Sequence, residues 1–93
     1  MSRIIKVILL VNSEKLISEI EEVGADIGEP DCLLKNPYQI LGKHETDAPP
    51  EDRFVKWMDE YTDSGKFMLR SDDVLTFMEP NSKLVDHYKT LTK

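Results

Sequence analysis

The 93-residue chain is long enough for one domain, in which folding hides about two-thirds of the surface that the unfolded chain exposes. Its 40% hydrophobic and 32% charged residues are typical of a folded protein in water and exclude a disordered chain. The formal net charge of −6 argues against a general nucleic-acid coat, because phosphate binding requires lysine and arginine. We therefore expect a single domain over residues 1–93, on which any RNA site is local.

The cysteine content and the longest apolar run indicate where the protein works. Cys32 is the only cysteine, so it cannot form an intrachain disulfide, and a free thiol suits a reducing cytoplasm. The apolar run at residues 4–11 contains Lys6 and is far shorter than the about 20 residues that span a bilayer. We expect a cytoplasmic protein without a membrane partner, in which Cys32 is buried and the run is a buried strand.

Three strands are predicted in the first half of the chain, at residues 4–11, 15–23 and 32–41. Asn12 and Ser13 connect the first two in a tight hairpin. Within the third, Asn36-Pro37 lacks one amide hydrogen, which predicts a bulge or a sheet edge at that point.

The segment at residues 15–23 is ambiguous by its own pattern. Leu16, Ile17 and Ile20 recur at helical spacing, and Gly24 stands where a helix would end. We predict a strand here because of the family resemblance given below, since tertiary context often overrides a local pattern of this kind.

The second half begins with a polar stretch at residues 42–52, whose two prolines and lack of apolar residues predict an exposed, mobile loop. Residues 54–58 and 66–70 look like another hairpin, and residues 74–78 form a further β-prone run. A terminal helix is predicted over residues 81–91. Its expected cap is Asn81 or Ser82, and its apolar stripe should lie on the sheet: Leu84, Val85, Tyr88 and Leu91.

The segment from Leu69 to Phe77 resembles the second Sm motif, which reads aliphatic, arginine, glycine, two further residues and aliphatic. Only the glycine is changed, to Ser71. The order of segments along nearly all of the chain is also similar to that of uncharacterised Sm-like proteins of bacteriophages, of cyanophage type. The resemblance implies a mainly β fold, a strongly bent five-stranded antiparallel Sm-like barrel, here with a C-terminal helix.

By this resemblance the protein is a homo-oligomeric ring of about five to seven subunits, in which the last strand of one subunit pairs with an edge strand of the next. The implied function is binding of single-stranded RNA, as a chaperone or regulator, in the host cytoplasm if the chain is encoded by a phage. The alternative is a protein-interaction ring or adaptor that does not bind RNA. The acidic composition and Ser71 favour the alternative.

The resemblance also implies a candidate RNA site, composed of Arg70, Ser71, Asn36 and Lys35. Arg70 takes the place of the motif arginine that lies near the RNA base, and Asn36 is a loose equivalent of the first motif's asparagine. A planar guanidinium can stack on a base and bind its edge or a phosphate. Considered without the resemblance, Arg70 could equally pair with Asp72 or Asp73 at a turn.

The remaining candidate residues predict neither a cofactor nor an enzyme. Four aromatic residues could stack on bases, but core or interface packing is the expected role of Phe54, Tyr38, Trp57 and Tyr61. His44, Glu45 and Asp47 have metal-binding side chains, yet no second His or Cys cluster gives the spacing of a zinc site, so we expect no metal. The chain contains no nucleophile motif and no glycine-rich phosphate loop.

Overall fold

The computed structural model describes residues 4–24, 26–42, 45 and 47–92. Over these ranges the protein is mainly β, with one six-stranded antiparallel sheet and one C-terminal helix. The strands are β1 (Ile5–Leu10), β2 (Lys15–Glu22), β3 (Cys32–Ile40), β4 (Phe54–Lys56), β5 (Lys66–Leu69) and β6 (Val74–Met78). The helix α1 spans Ser82–Leu91, and two short 3-10 turns span Pro50–Asp52 and Ser71–Asp73. None of the described residues lies in a helix long and apolar enough to cross a membrane.

The sheet has the order β4-β3-β2-β1-β6, and β5 lies beside β4 on the same edge of β3. In the register, Lys56 of β4 lies opposite Tyr38, and Lys66 of β5 lies opposite Lys35. The two strands therefore occupy one strand position, which is interrupted by residues 57–65. We call this interruption the strand-splitting loop.

The prediction of a hairpin between residues 54–58 and 66–70 was wrong, because both segments pair with β3 and not with each other. The reason is that β3 holds both ends of the strand-splitting loop. The Trp57 amide donates to the Pro37 carbonyl (3.1 Å), and the Asn36 amide donates to the Gly65 carbonyl (2.6 Å). A Cβ on Gly65 would collide with Asn36 Oδ1, so any other residue at this position would require the Asn36 side chain to move. The fourth strand position of the sheet is thus occupied by two short strands, which gives six strands where the resemblance implied five.

The strand prediction for residues 15–23 is confirmed by β2, despite the helical spacing of its apolar residues. Successive side chains of a strand point to opposite faces of the sheet. Leu16 and Ile17 are both fully buried, and they pack in different clusters, one on each face. The sequence pattern is that of a sheet covered on both sides.

The two faces of the sheet carry separate cores. On one face, α1 covers a cluster of Ile5, Val7, Ile17, Leu84 and Tyr88. On the other face, the sheet folds over a second cluster, formed by Ile8, Leu10, Leu16 and Leu34. Cys32 is buried, as expected for a small apolar residue.

A short connection forces the sheet to bend. Leu69 at the end of β5 lies opposite Cys32, whereas Val74 at the start of β6 lies opposite Leu10. In a flat sheet these two positions would be roughly 30 Å apart, but the chain between them can span at most about 17 Å. The sheet must therefore curl until its two ends approach each other. Among the described residues β6 does not pair with β4 or β5, so the sheet is bent but not closed into a barrel.

A bulge in β3 is sealed by the hydroxyl group of Tyr88. Ile17 lies opposite Tyr38 and Glu19 opposite Lys35, so β3 has one residue more than β2 over this stretch. The Tyr88 hydroxyl accepts a hydrogen bond from the Glu19 amide (2.9 Å) and donates to the Lys35 carbonyl (2.7 Å). These backbone groups cannot meet each other across the bulge, and the buried hydroxyl replaces the missing ladder bonds. The predicted irregularity at Asn36-Pro37 is a bulge and not an edge.

The terminal helix follows its prediction at the start and departs from it at the end. The Leu84 amide donates to Asn81 Oδ1 (3.0 Å), so Asn81 is the cap. Leu84 and Tyr88 are buried and Val85 packs on their cluster, but the side chain of Leu91 is 42% exposed. The prediction for Leu91 was wrong, because the last residue of α1 reaches past this cluster to the cleft beside the strand-splitting loop.

The predicted loop at residues 42–52 is only partly described. It ends in the 3-10 turn Pro50–Asp52, and Glu45, Asp47, Pro49 and Asp52 are exposed. Arg53 directly after the turn is buried, and its guanidinium donates to the Leu41 carbonyl (3.0 Å), which ties the two ends of the loop together. His44, one of the candidate metal ligands, lies outside the described residues.

Tyr88→Phe should lower the free energy of unfolding by about 1–3 kcal/mol, because it removes one hydrogen bond from the partly buried Glu19 amide and one from the Lys35 carbonyl. Urea denaturation of both proteins measures this change. Tyr61→Phe removes the same group from an exposed ring and is the matched control, expected to change stability by less than about 0.5 kcal/mol. Equal stability of Tyr88→Phe and the unchanged protein would contradict this role of the hydroxyl.

Candidate functional site

The segment that resembles the second Sm motif lies where β5 turns towards β6. Ser71 begins the 3-10 turn there, and its amide and hydroxyl both donate to the carboxylate of Asp31, each at 2.7 Å. Arg70 donates from Nε (3.2 Å) and Nη2 (3.3 Å) to the two carboxylate oxygens of Asp73. We call Asp31, Arg70, Ser71 and Asp73 the turn cluster.

Backbone pairing brings the turn cluster together. The Asp31 amide donates to the Leu69 carbonyl (3.2 Å), which places Asp31 beside the end of β5. Ser71 follows two residues later and faces the Asp31 side chain. The serine that stands in place of the motif glycine thus binds a neighbouring turn through its hydroxyl.

Both charged partners in the turn cluster are stabilised in their ionised forms. The hydrogen bond from the Ser71 hydroxyl, followed by that from its amide, holds the pKa of Asp31 below its ordinary value. The hydrogen bond to Asp73 and the charge of that carboxylate raise the pKa of Arg70. The guanidinium is therefore already engaged by a carboxylate, which was the alternative to base stacking that the sequence left open.

The surface around the turn cluster is acidic. Asp26, Glu29 and Asp72 line the same open cleft as Asp31 and Arg70. Carboxylates outnumber the single guanidinium in this cleft. A phosphate group would meet a repulsive field here, which makes the region a poor site for an RNA backbone.

The structure does not bring the other two predicted site residues to Arg70 and Ser71. Lys35 and Asn36 lie at the bulge of β3, about 10 Å or more along the strand from Cys32, which lies opposite Leu69. The Lys35 ammonium is 3.2 Å from the Glu21 carboxylate and 4.0 Å from that of Glu19. Asn36 instead anchors Gly65 at the end of the strand-splitting loop.

Sequence reasoning missed Asp31, which is the residue that Ser71 binds. The signal that could have found it is the pairing of β3 with β5, because this register places the residue before Cys32 next to the residues after Leu69. A single sequence without that register gives no reason to associate the two positions.

Three of the four aromatic candidates pack inside the protein, as expected. Tyr38 meets the Tyr88 ring edge-on at 6.1 Å, and Phe54 meets His87 at 5.1 Å. Trp57 lies 5.1 Å from Phe67, and its indole nitrogen donates to the Glu14 carboxylate at 3.0 Å. Tyr61 in the strand-splitting loop is different, since it is 80% exposed.

The sheet ends in two open edges of different chemistry. At one edge, β6 is bonded only to β1 among the described residues, and its exposed side chains include Leu75 (63%) and Phe77 (39%). At the other edge, β4 and β5 are bonded only to β3 within the described ranges and carry the half-exposed Met68 (51%) and Val55 (40%). Unpaired backbone groups next to exposed apolar side chains form a template for the addition of another strand.

The described part of the chain contains no group of three or more His, Cys, Asp or Glu residues placed to hold a metal ion.

A family model described as "Family of unknown function (DUF6561)" matches residues 3–93. The chain belongs to that family. The match includes both open edges and the turn cluster, so these features lie within the DUF6561 domain. No curated protein matches the chain.

Ser71→Ala should raise the pKa of Asp31 towards its ordinary value, because it removes the hydroxyl that binds the carboxylate. A folded-state pKa below the unfolded value stabilises the protein above the unfolded pKa, and this contribution is lost as the pH falls through the folded pKa. The variant should therefore lose less stability between neutral pH and about pH 3. Carboxyl ¹³C titration by NMR measures the shift. Ser82→Ala, at the start of α1, is the control, and an unchanged Asp31 titration in Ser71→Ala would contradict the assignment.

Proposed function

We propose that this protein is a self-assembling interaction module in which β6 of one copy adds to the β4–β5 edge of the next, forming a closed ring of Sm-like subunits. The observation that carries the proposal is the pair of unlike open edges on one bent sheet. Two different edges join head to tail, and such a contact either closes into a ring or grows into a filament. Ring closure removes every open edge.

Several features support an Sm-like relationship. The strand position occupied by β4 and β5 leads through the 3-10 turn Ser71–Asp73 into the last strand, at the segment that resembles the second Sm motif. The strong bend of the sheet agrees with the fold that the motif implies. The split of the fourth strand and the C-terminal position of α1 are departures specific to this chain.

The two edges are complementary in length and in charge. The strand β6 has five residues, and β5 offers four. Lys56 and Lys66 are exposed along the β4–β5 edge, whereas the exposed Asp72 precedes β6. Opposite charges at the two edges favour the pairing of unlike edges over the pairing of like ones.

On electrostatic grounds the partner of the assembled ring is a protein and not RNA, since carboxylates outnumber the guanidinium in the cleft around the turn cluster. The rival function is single-stranded RNA binding at Arg70, whose side chain remains 46% exposed in its pair with Asp73. Each copy in a ring would contribute one such arginine, so that weak contacts would add through multivalency.

The edge proposal predicts that light scattering finds one discrete oligomer at tens of micromolar protein. Leu75→Glu and Met68→Glu, each of which places a carboxylate at one edge, should both give monomers, because a buried unpaired charge opposes strand addition. An equimolar mixture of the two variants should form a dimer, since each chain keeps one intact edge.

Ile27→Glu is the control for these variants, because Ile27 is fully exposed in the turn between β2 and β3 and lies outside both edges. It should leave the oligomer intact. Light scattering that finds the protein without substitutions to be a monomer would contradict the proposal. A dimer of either single variant by itself would show that the contact joins like edges, and two monomeric variants that fail to pair on mixing would also contradict the pairing of unlike edges.

Fluorescence anisotropy with uridine-rich and adenine-rich oligonucleotides separates the two functions. The protein-binding proposal predicts no measurable binding at about 0.15 M salt, where the Debye length is about 8 Å and weak phosphate contacts are screened. Binding that Arg70→Ala abolishes, with the oligomer preserved, would instead establish the RNA function.

A further inference from the structure

The pairing of two edge strands is too small to hold a ring together by itself. A strand added along the four residues of β5 makes a contact about 13 Å long. Specific protein interfaces bury roughly 800 Å² on each partner, far more than one strand of that length provides. A stable assembly therefore needs a second surface next to β5.

Two surfaces flank β5, and their chemistry differs. After β5 comes the turn cluster, where Arg70, Ser71 and Asp72 are exposed, and burying these polar groups carries a desolvation cost. Before β5 comes the strand-splitting loop, where Tyr61 is 80% exposed and Met58 is 38% exposed. The second surface also carries the exposed carboxylates of Asp59, Glu60 and Asp63, so its gain in free energy on leaving water comes from the side chains of Tyr61 and Met58.

The strand-splitting loop is built to hold a fixed shape. Its ends are bonded to the bulge of β3, through the Trp57 amide and the Gly65 carbonyl. Inside the loop, the Tyr61 amide donates to the Met58 carbonyl (3.0 Å), and Met58 adopts a left-handed backbone with φ of 60°. Left-handed backbone is uncommon for a residue with a side chain, so the surrounding bonds must maintain it. A loop ordered in advance loses little conformational entropy on binding.

The exposed apolar residues of the loop continue the β4 edge. Val55, Met58 and Tyr61 line one open depression of about 580 Å³. The residues that a neighbouring copy would bring to this edge are the apolar side chains of β6, among them Leu75, Phe77 and Met78, which are all exposed in the single chain. The loop and β6 thus each carry exposed apolar side chains, and the proposed pairing of β6 with β5 would bring the two sets of side chains together.

We propose that the strand-splitting loop forms the main side-chain contact between copies, with Tyr61 and Met58 packing on the apolar side chains of β6 in the next copy. This inference rests on the proposed pairing of the two edges, and it adds the surface that makes the pairing stable. The loop would then make the pairing selective, because it would favour β6 of a second copy of this chain over an open strand of another protein.

Tyr61→Ser should weaken the association at least about tenfold, as measured by sedimentation equilibrium over a range of concentrations, because truncation of a central interface tyrosine commonly has an effect of this size. Ile27→Ser, at an exposed apolar residue that belongs to neither edge strand nor the strand-splitting loop, should leave the association constant unchanged. Tyr61→Phe should associate like the unchanged protein, because it keeps the ring. Since the side chain is exposed, circular dichroism of all three variants should match that of the unchanged chain.

Met68→Glu, included in the same series, separates this inference from the edge proposal. Loss of assembly in Met68→Glu together with full assembly in Tyr61→Ser would overturn the role of the loop and leave the edge pairing standing. Assembly that survives Met68→Glu, or an unchanged protein that never assembles, would overturn both. A loss caused by Ile27→Ser as large as that caused by Tyr61→Ser would show a general effect of apolar surface and would also overturn the role of the loop.

Discussion

The hydroxyl of Tyr88 is the interaction on which the rest of the structure depends. The extra residue in β3 takes two partly buried backbone groups out of the sheet ladder, and the hydroxyl bonds to both of them. An unpaired amide or carbonyl away from water is costly, so the docked helix α1 stabilises the bulge. The helix thereby holds β3 at the point where its outer neighbour divides into β4 and β5.

The same bulge determines the form of the outer edge. Asn36 and Pro37 offer their backbone groups to the two ends of the strand-splitting loop, so the fourth strand position is broken into β4 and β5. The result is an edge of short strands separated by a loop that exposes Met58 and Tyr61, while β6 at the other edge is continuous and exposed. Short strands and lysines normally protect an edge from indiscriminate pairing. In this protein they would restrict pairing to a strand that also fits the loop.

The sequence predicts what depends on local chemistry. The apolar run at residues 4–11 predicts β1, the missing amide of Pro37 predicts the bulge, and Asn81 caps the helix as its side chain suggests. The strand β2 was predicted from the family resemblance, against its own helical spacing. The prediction of a hairpin at residues 54–58 and 66–70 was wrong because both segments pair with β3. This pairing depends on the register of distant strands and cannot be read from the local sequence pattern.

The candidate site was predicted only in part, because it also depends on the pairing of distant strands. Arg70 and Ser71 were singled out, but the partner of Ser71 is Asp31, forty positions away in the sequence, and it can be found only when β3 and β5 are paired. Asn36 was assigned to RNA by resemblance, whereas its observed role is to hold Gly65. Single-stranded RNA binding stays a prediction, and the acidic turn cluster is the physical argument against it.

The central claim is that two unlike sheet edges of this chain meet between copies, and isotope-filtered NMR tests it most directly. Equal amounts of ¹⁵N,²H-labelled and unlabelled protein are mixed, and nuclear Overhauser contacts are recorded only between labelled and unlabelled chains. The account predicts contacts from the β5 amides to the backbone protons of β6, and from the amides around Tyr61 to the side chains of Leu75 or Phe77. Contacts that join β6 to β6, or none between chains at millimolar concentration, would contradict it.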